Sequence, residues 1–319
     1  MTSYDNELKI ALGAVKKAFY LCSRAQKNLV NDETIKKKDR SPVTIADFGS
    51  QAIINIAITD AFPDAVIIAE EDTAILRKDN DLKTKVVQLV NEQMPNISSS
   101  RIIEGIDAGS GTGSRFWTVD PIDGTKGFLR GDQYAVALAL IENGEVVLGI
   151  LGCPNFPINN ETKAGCMFYA VKGSGAYMYF PDSETKEIIS VDRDIPTQNA
   201  RVCESVESAH AAHDIHAGIC NIAGIKAPPF RMDSQAKYAA VACGKASVYL
   251  RLPRSKEYRE KIWDHAAGSI IVEEAGGRVT DFSGSKLDFT KGQSLVDNTG
   301  ILVTNGSLHD KVLKAIASV

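Results

Sequence analysis

No C-x-x-C pair occurs in this 319-residue chain, and none of its six cysteines stands five residues before an arginine. Reduced thiols of a cytoplasmic protein are the simplest reading, and thiol-based phosphatase chemistry is disfavoured. Basic blocks are missing beyond Lys36-Lys37-Lys38, and the net charge is −4, so nucleic acid, which needs a basic face to neutralise phosphates, is not the expected partner. The N-terminal MTSYDNELKI has no basic-then-apolar leader, and no apolar stretch approaches the roughly 18 residues a membrane span requires. A membrane is therefore not expected either, and the expected location is the cytoplasm. No internal repeat is visible.

What is present reads as a soluble chain of one large domain or two modest ones around a cleft. Residues 4–29 carry apolar side chains at helical spacing, and a second helix spans about 44–61, ended by Phe62-Pro63. DAVIIAEED reads as a buried strand with acids at its exit, and residues 80–94 as a third helix stopped before Pro95. IDAGSGTGS reads as a flexible link. Its G-x-G-x-G is not a dinucleotide fingerprint, because strand-like RFWTVD follows it rather than a helix. QYAVALALIENGEVVLGILG is strand, Asn-Gly turn, strand, and CMFYAVKGSGAYMYF continues the meander. DRDIPTQN is the best linker, which divides the chain into 1–197, an α+β subdomain with antiparallel strands, and 198–319, where strand and helix alternate as α/β.

The chemistry sits in acids at element ends. Asp47 lies near the start of the second helix, Glu70 and Glu71 leave the IIA strand, Asp120 and Asp123 leave the WTV strand, and Asp264 opens WDHAAG. Taken singly, each has a plain structural explanation: a capping box for Asp47, a solvated turn for Glu70, an N-cap for Asp264. Asp120 and Asp123 resist that reading, because Pro121 fixes the backbone between them and holds both on a turn. Close carboxylates repel unless a cation comes between them. A set of oxygen donors without nearby histidine or cysteine suits Mg²⁺ rather than zinc, and this many acids serve more than one ion. Paired ions can activate water and stabilise the leaving oxygen of a phosphoryl displacement, with Gly124 and Thr125 offering N–H groups to phosphate. The spacing Asp-x-x-Asp-x-Thr is not the Asp-x-Asp-x-Thr of aspartyl-phosphate enzymes, so direct attack by water is the favoured route.

WTVDPIDGT at 117–125, the upstream Glu-Glu, and WDHAAG followed by EEAGG together resemble the lithium-sensitive, Mg²⁺-dependent phosphatases of the inositol monophosphatase superfamily. KGFLRG, DSQAKY and YLRLP narrow the resemblance to the 3′(2′),5′-bisphosphate nucleotidases of the yeast salt-tolerance type, and it covers the chain from Arg40 to the last helix. The resemblance implies a layered αβαβα sandwich of two subdomains with the active site between them. It implies that Glu70, Asp120 and the main-chain oxygen of Ile122 hold one metal. Asp120, Asp123 and Asp264 would hold a second, and Asp47 with Glu70 a third through water, giving two to three Mg²⁺ in all. Asp47 and Thr125 would activate the attacking water. Thr125, His210, Ser234, Lys237, Arg251 and Asp264 would meet the substrate, adenosine 3′,5′-bisphosphate or its sulfated form. Li⁺ would inhibit, with Na⁺ a further candidate, and the chain would act as a monomer. Plain alternatives stand beside three of these residues: a surface position for His210, an exposed helix position for Lys237, and a rim salt bridge for Arg251. Two features depart from the pattern: Ala211-Ala212 replace small hydroxyl residues after the histidine, and the link before Trp117 is shorter and less basic. The rival substrate is an inositol bisphosphate such as the 1,4-isomer, and the rival class is a non-catalytic nucleotide or cation sensor.

Overall fold

Leu8, Ala11, Val15, Ala18 and Cys22 recur at helical spacing, which gives helix α1 (Asp5–Asn31) one apolar stripe that needs a partner. It packs on α2 (Ser41–Ala61), whose Ile53, Ile54, Ile56 and Ile58 are wholly buried and point in all directions around the axis. A helix apolar all round is an enclosed helix. Its burial makes the few polar residues it carries conspicuous. This computed structural model describes residues 4–31, 41–109, 113–158, 165–206, 213–253, 255 and 257–319.

Beyond α2 come β1 (Ile67–Ala69), α3 (Asn80–Gln93), α4 (Ser99–Asp107), β2 (Arg115–Asp123), α5 (Thr125–Arg130), β3 (Ala135–Glu142), β4 (Glu145–Cys153), β5 (Cys166–Val171), β6 (Ala176–Phe180) and β7 (Thr185–Ile189). The seven strands form one sheet in sequence order. Only β1 and β2 run parallel. The Asn143-Gly144 turn expected between β3 and β4 is present, with both residues at positive φ. Helix α4 is an addition to the sequence reading. Ser98 caps it by accepting from the Arg101 N–H at 3.2 Å, and Ile102 and Ile106 are buried, so the expected flexible link begins as the last turn of a helix. Gly111, central to the G-x-G-x-G stretch, lies outside the described residues, as do Lys36 to Lys38.

The second half holds β8 (Val202–Glu204), α6 (His213–Ala223), β9 (Phe230–Arg231), α7 (Ala236–Ala242), β10 (Val248–Arg251), α8 (Ala266–Glu274), β11 (Arg278–Thr280), β12 (Ile301–Thr304) and α9 (His309–Ile316). Its five strands form a mixed sheet ordered β11-β12-β10-β8-β9.

Strand alternation stacks these pieces. On β3, Val136, Leu138 and Leu140 join the core with α1 and α2, while Ala135, Ala137 and Ala139 face the core that holds α7 and α8. Large side chains fill one face, and small ones let a helix come close on the other. At Gly149 of β4 an added Cβ would meet the Ala267 carbonyl at 2.7 Å, so α8 rests directly on the sheet backbone. Cys203, Tyr249, Val279 and Val303 of the second sheet cover the far side of α7 and α8. Val202, Val248 and Leu302 on its other face pack under α6 and α9. The result is the α-β-α-β-α order of layers. Among the described residues no helix is long and apolar enough to cross a membrane.

Candidate active site

Strand β2 does not end in a turn at Pro121, as the sequence reading had it. It continues to Asp123, and its register against β3 shifts between Asp120 and Asp123. The parallel pairing with β1 stops at Val119, so Pro121, which has no N–H to give, sits where a ladder bond is not needed. The irregularity re-aims the strand in the way bulges do. Ser50 of α2 fixes it by donating to the Pro121 carbonyl at 3.0 Å. Carboxylate oxygens of Asp120, Asp123 and Asp264 come within 4.8 Å of one another as a result. Asp264 is not the N-cap of α8, since His265 holds that position. It closes a 3₁₀ turn, Ile262–Asp264.

Glu70 leaves β1 and lines the same cleft, close enough to Asp120 for the two carboxyls to act on each other. Its strand exit is pinned by Gln51, which donates to the Glu71 carbonyl at 2.7 Å and accepts from the Glu71 N–H at 2.9 Å. Asp47 lies in the second turn of α2 rather than at its start, because the helix begins at Ser41; it is buried, so the capping-box explanation fails.

Burial raises the carboxyl of Asp47 well above its ordinary range, and Glu71 and Glu70 push it further. Asp120 is likewise raised by burial, then by Glu70, Asp123 and Asp264. Glu70 rises through burial and through Asp264 and Glu71. Asp123 rises through burial and Asp264, opposed by Lys237 and Arg251. Among the described residues, Oδ1 of Asp120 is buried without a hydrogen-bond partner, as is Oε1 of Glu260 on the opposite wall. A buried acceptor facing other acids fits a hard cation: its lone pairs and its neighbours both lack positive charge.

The opposite wall behaves differently. Arg251 Nη2 contacts Glu260 Oε2 at 2.7 Å and Asp264 Oδ2 at 3.0 Å. Glu260 in turn faces His265 Nε2 at 3.3 Å, and His265 Nδ1 meets the Tyr238 hydroxyl at 2.7 Å. Burial alone would raise the Glu260 carboxyl, but His265 and Arg251 hold it down to about 2. Arg251 therefore arrives at the cleft already holding two carboxylates. Lys237 does not occupy an exposed helix position: it is only 5% exposed, lies over the Tyr249 ring at 5.2 Å, and borders the cleft. Burial lowers its pKa, with Asp123 opposing.

The cleft, about 550 Å³, is bordered by Glu70, Asp120, Ile122, Asp123 and Thr125 on one side and by Ser234, Lys237, Arg251 and Asp264 on the other. Asp47 is buried and is not among the residues that border the cleft, although the Glu70 carboxylate still acts on its charge. His210, with Ala211-Ala212, lies outside the described residues. Sequence reasoning missed Ser50, Gln51, Asp233, Gln235 and Glu260. Asp233 joins Arg130 of α5 to Ser205 Oγ, which donates to Asp233 Oδ1 at 3.1 Å. A signal for two of the five was available: Asp47, Ser50 and Gln51 share one face of a helix otherwise apolar all round.

Acids that converge on a cleft edge with a buried lysine across it define a phosphate-handling hydrolase of the metal-assisted class. The chain belongs to the inositol monophosphatase family, whose model matches residues 3–319. It is 45% identical to the 3′(2′),5′-bisphosphate nucleotidase 1 of Arabidopsis thaliana, over 98% of this chain and 96% of the relative. It is 41% identical to the 3′(2′),5′-bisphosphate nucleotidase of Schizosaccharomyces pombe, over 99% and 96%. Among solved structures, the IMPase of Thermotoga maritima matches with a TM-score of 0.67 at 25% identity, covering 98% of this chain and 97% of that one.

Proposed function

We propose that this chain is a Mg²⁺-dependent phosphomonoesterase that removes the 3′-phosphate of adenosine 3′,5′-bisphosphate, giving AMP and phosphate, with the sulfated nucleotide as a second substrate. The observation that carries this reading is the pairing of two unlike ends in one cleft: clustered acids, of which Asp264 is held by Arg251 while Asp120 has other carboxylates as its strongest charged neighbours, and a nearly buried Lys237 opposite them. A substrate with two phosphates suits both ends, one over the acids and one against the cation. The nucleotidase relatives, at 41% and 45% identity, support the nucleotide over an inositol bisphosphate.

Glu70, Asp120 and the Ile122 carbonyl oxygen would hold one Mg²⁺, and Asp120, Asp123 and Asp264 a second. Asp47 with Glu70 would reach a third through water. When bound, the ions supply charge that lowers the pKa of water and offsets the ester oxygens. Asp47, its carboxyl held above the usual range by burial, suits the acceptor of the proton that water gives up, relayed by the Thr125 hydroxyl. The water oxygen forms the new bond to phosphorus as the bond to the 3′-oxygen breaks, and the departing oxygen takes up a proton from solvent water in the open cleft. Lys237 as a point charge and Arg251 as a fork would hold the second phosphate, with Ser234 and His210 completing the nucleotide contacts. The two segments 1–197 and 198–319 would act as subdomains of a cytoplasmic monomer, with Li⁺ inhibiting at a Mg²⁺ position and Na⁺ a further candidate.

Phosphate release with Mg²⁺ across a panel tests the reading. Adenosine 3′,5′-bisphosphate should lead, followed by its sulfated form, then inositol 1,4-bisphosphate, inositol 1-phosphate and fructose 1,6-bisphosphate. An inositol phosphate hydrolysed faster than the nucleotides would overturn it.

A further inference from the structure

Every polar atom of Gln235 is engaged, although the residue is 2% exposed and touches the cleft only through its neighbours. Its main-chain N–H donates to Asp123 Oδ2 at 2.6 Å. Its side-chain Nε2 donates to the Trp263 carbonyl at 2.8 Å, and its Oε1 accepts from the Gly268 N–H at 3.2 Å. Trp263 immediately precedes Asp264, and Gly268 lies one turn after it. One residue thus grips the carboxylate of Asp123 and the backbone on both sides of Asp264.

We propose that Gln235 is a positioning residue that sets the gap between Asp123 and Asp264, and thereby the affinity of the cation position these acids share. This rests on reading the acids as cation ligands. Asp123 comes from the irregularity of β2 and Asp264 from the turn before α8, in different layers of the sandwich, so chain connectivity does not hold them at a fixed spacing. Arg251 restrains the Asp264 side chain. Gln235 ties the Asp123 carboxylate of the first sheet to the backbone on either side of Asp264. The residue before it supports the aim. Ser234 has φ 67°, a left-handed conformation that non-glycine residues avoid, and its Oγ accepts from the Ala236 N–H at 3.1 Å. Gly124, itself at φ 88°, packs against Ser234 so closely that an added Cβ would come to 2.8 Å from the Ser234 Cβ. The strained turn points the Gln235 N–H at Asp123 and the side chain at Trp263. Unusual backbone held in place beside a reactive site is where strain has a use.

The test measures cation binding directly, using Mn²⁺ as probe, by electron paramagnetic resonance of free ion and by calorimetry on the full chain. Gln235→Met keeps the volume and the main-chain N–H but removes both side-chain bonds; Gln235→Ala gives a second reading of the same loss. Asn305→Ala is the control, since Asn305 is another buried amide, bonded to Asp192 at 3.0 Å away from the acids. Removing a supporting partner of a metal site costs about 10–100-fold in affinity. Both Gln235 variants should therefore weaken one class of Mn²⁺ site by about tenfold or more, with a matching rise in the Mg²⁺ needed for turnover. Asn305→Ala should lower the melting temperature and leave Mn²⁺ affinity unchanged. Wild-type Mn²⁺ affinity in both Gln235 variants would overturn the positioning role while leaving the metal reading intact. So would a loss of affinity in all three variants that simply tracks their melting temperatures. A wild-type chain that binds no Mn²⁺ would overturn both readings.

Discussion

The two walls of the cleft handle charge in opposite ways. On the wall built from α2 and the first sheet, the neighbours that act most strongly on Asp47, Glu70 and Asp120 are other carboxylates. On the wall built from β10 and the turn before α8, Arg251, Glu260 and His265 satisfy one another through a chain of contacts ending at the Tyr238 hydroxyl. The first wall is electrostatically incomplete, whereas the second is largely paired, with Oε1 of Glu260 left without a hydrogen-bond partner among the described residues. The difference teaches where the missing positive charge belongs. A protein that folds around uncompensated buried acids gives up stability there, and a bound cation restores it.

That contrast can be broken most directly through catalysis. Asp47→Asn, or Thr125→Ala, should reduce turnover by about 10²–10⁴-fold, the usual scale for a positioned proton acceptor, while nucleotide KM changes little. Steady-state kinetics within a few-fold of the unmutated chain would remove both from water activation. Next in size is stability without metal. Glu260→Gln leaves Arg251 and His265 with a weaker partner and should destabilise by about 3–5 kcal/mol, the range for breaking a buried ion pair. Asp120→Asn replaces a buried carboxyl whose charged form is opposed by burial and by Glu70, Asp123 and Asp264, and should raise the metal-free melting temperature at neutral pH. Calorimetric scans in chelator should show the two shifts with opposite signs; equal signs would dissolve the comparison. Smaller again, Lys237→Met should raise nucleotide KM by about 10–100-fold through one lost charge-assisted bond, with kcat nearly kept. A KM that does not move would make Lys237 a structural residue.

The smallest effect is on pH. Asp47, Asp120 and Glu70 have folded pKa values raised above their unfolded ones. Their protonated forms are favoured in the folded state, so their contribution is fully present below the ordinary carboxylate range and is lost as pH rises through the raised values. In chelator the melting temperature should fall as pH climbs from near 4 to about 7, where Glu70 titrates. Saturating Mg²⁺ should flatten that slope. A metal-free profile that rises over the same window would contradict the assignment of these acids as unpaired.

Much of this was legible before any coordinates. Helical periodicity marked α1, the strand, Asn-Gly turn, strand pattern marked the β3–β4 hairpin, and Phe62-Pro63 and Pro95 marked the ends of α2 and α3. The cleft acids could be collected because they sit at strand ends rather than on solvated faces. The rest depended on tertiary contact. Helix α4 escaped because Gly105 sits in its middle, tolerated for its close approach to Ile56 of α2 rather than for helix propensity. The strand through Pro121 escaped because which edge of β2 stays unpaired is a property of the sheet. Gln235 and Glu260 escaped because their partners lie 112 residues away in one case and in a buried four-residue chain in the other. For Arg251 the sequence leaves a phosphate fork and a salt bridge side by side, and only the fold shows the two carboxylates it already holds.

The alanine-lined face of β3 and the bare backbone at Gly149 also govern something well outside their own neighbourhood. They fix how thin the molecule is between its first sheet and α8, and that thickness is the yardstick against which the acid ahead of α8 is delivered to the acids of β2. Methyl groups that never meet a nucleotide thus calibrate the reach of carboxylates that would.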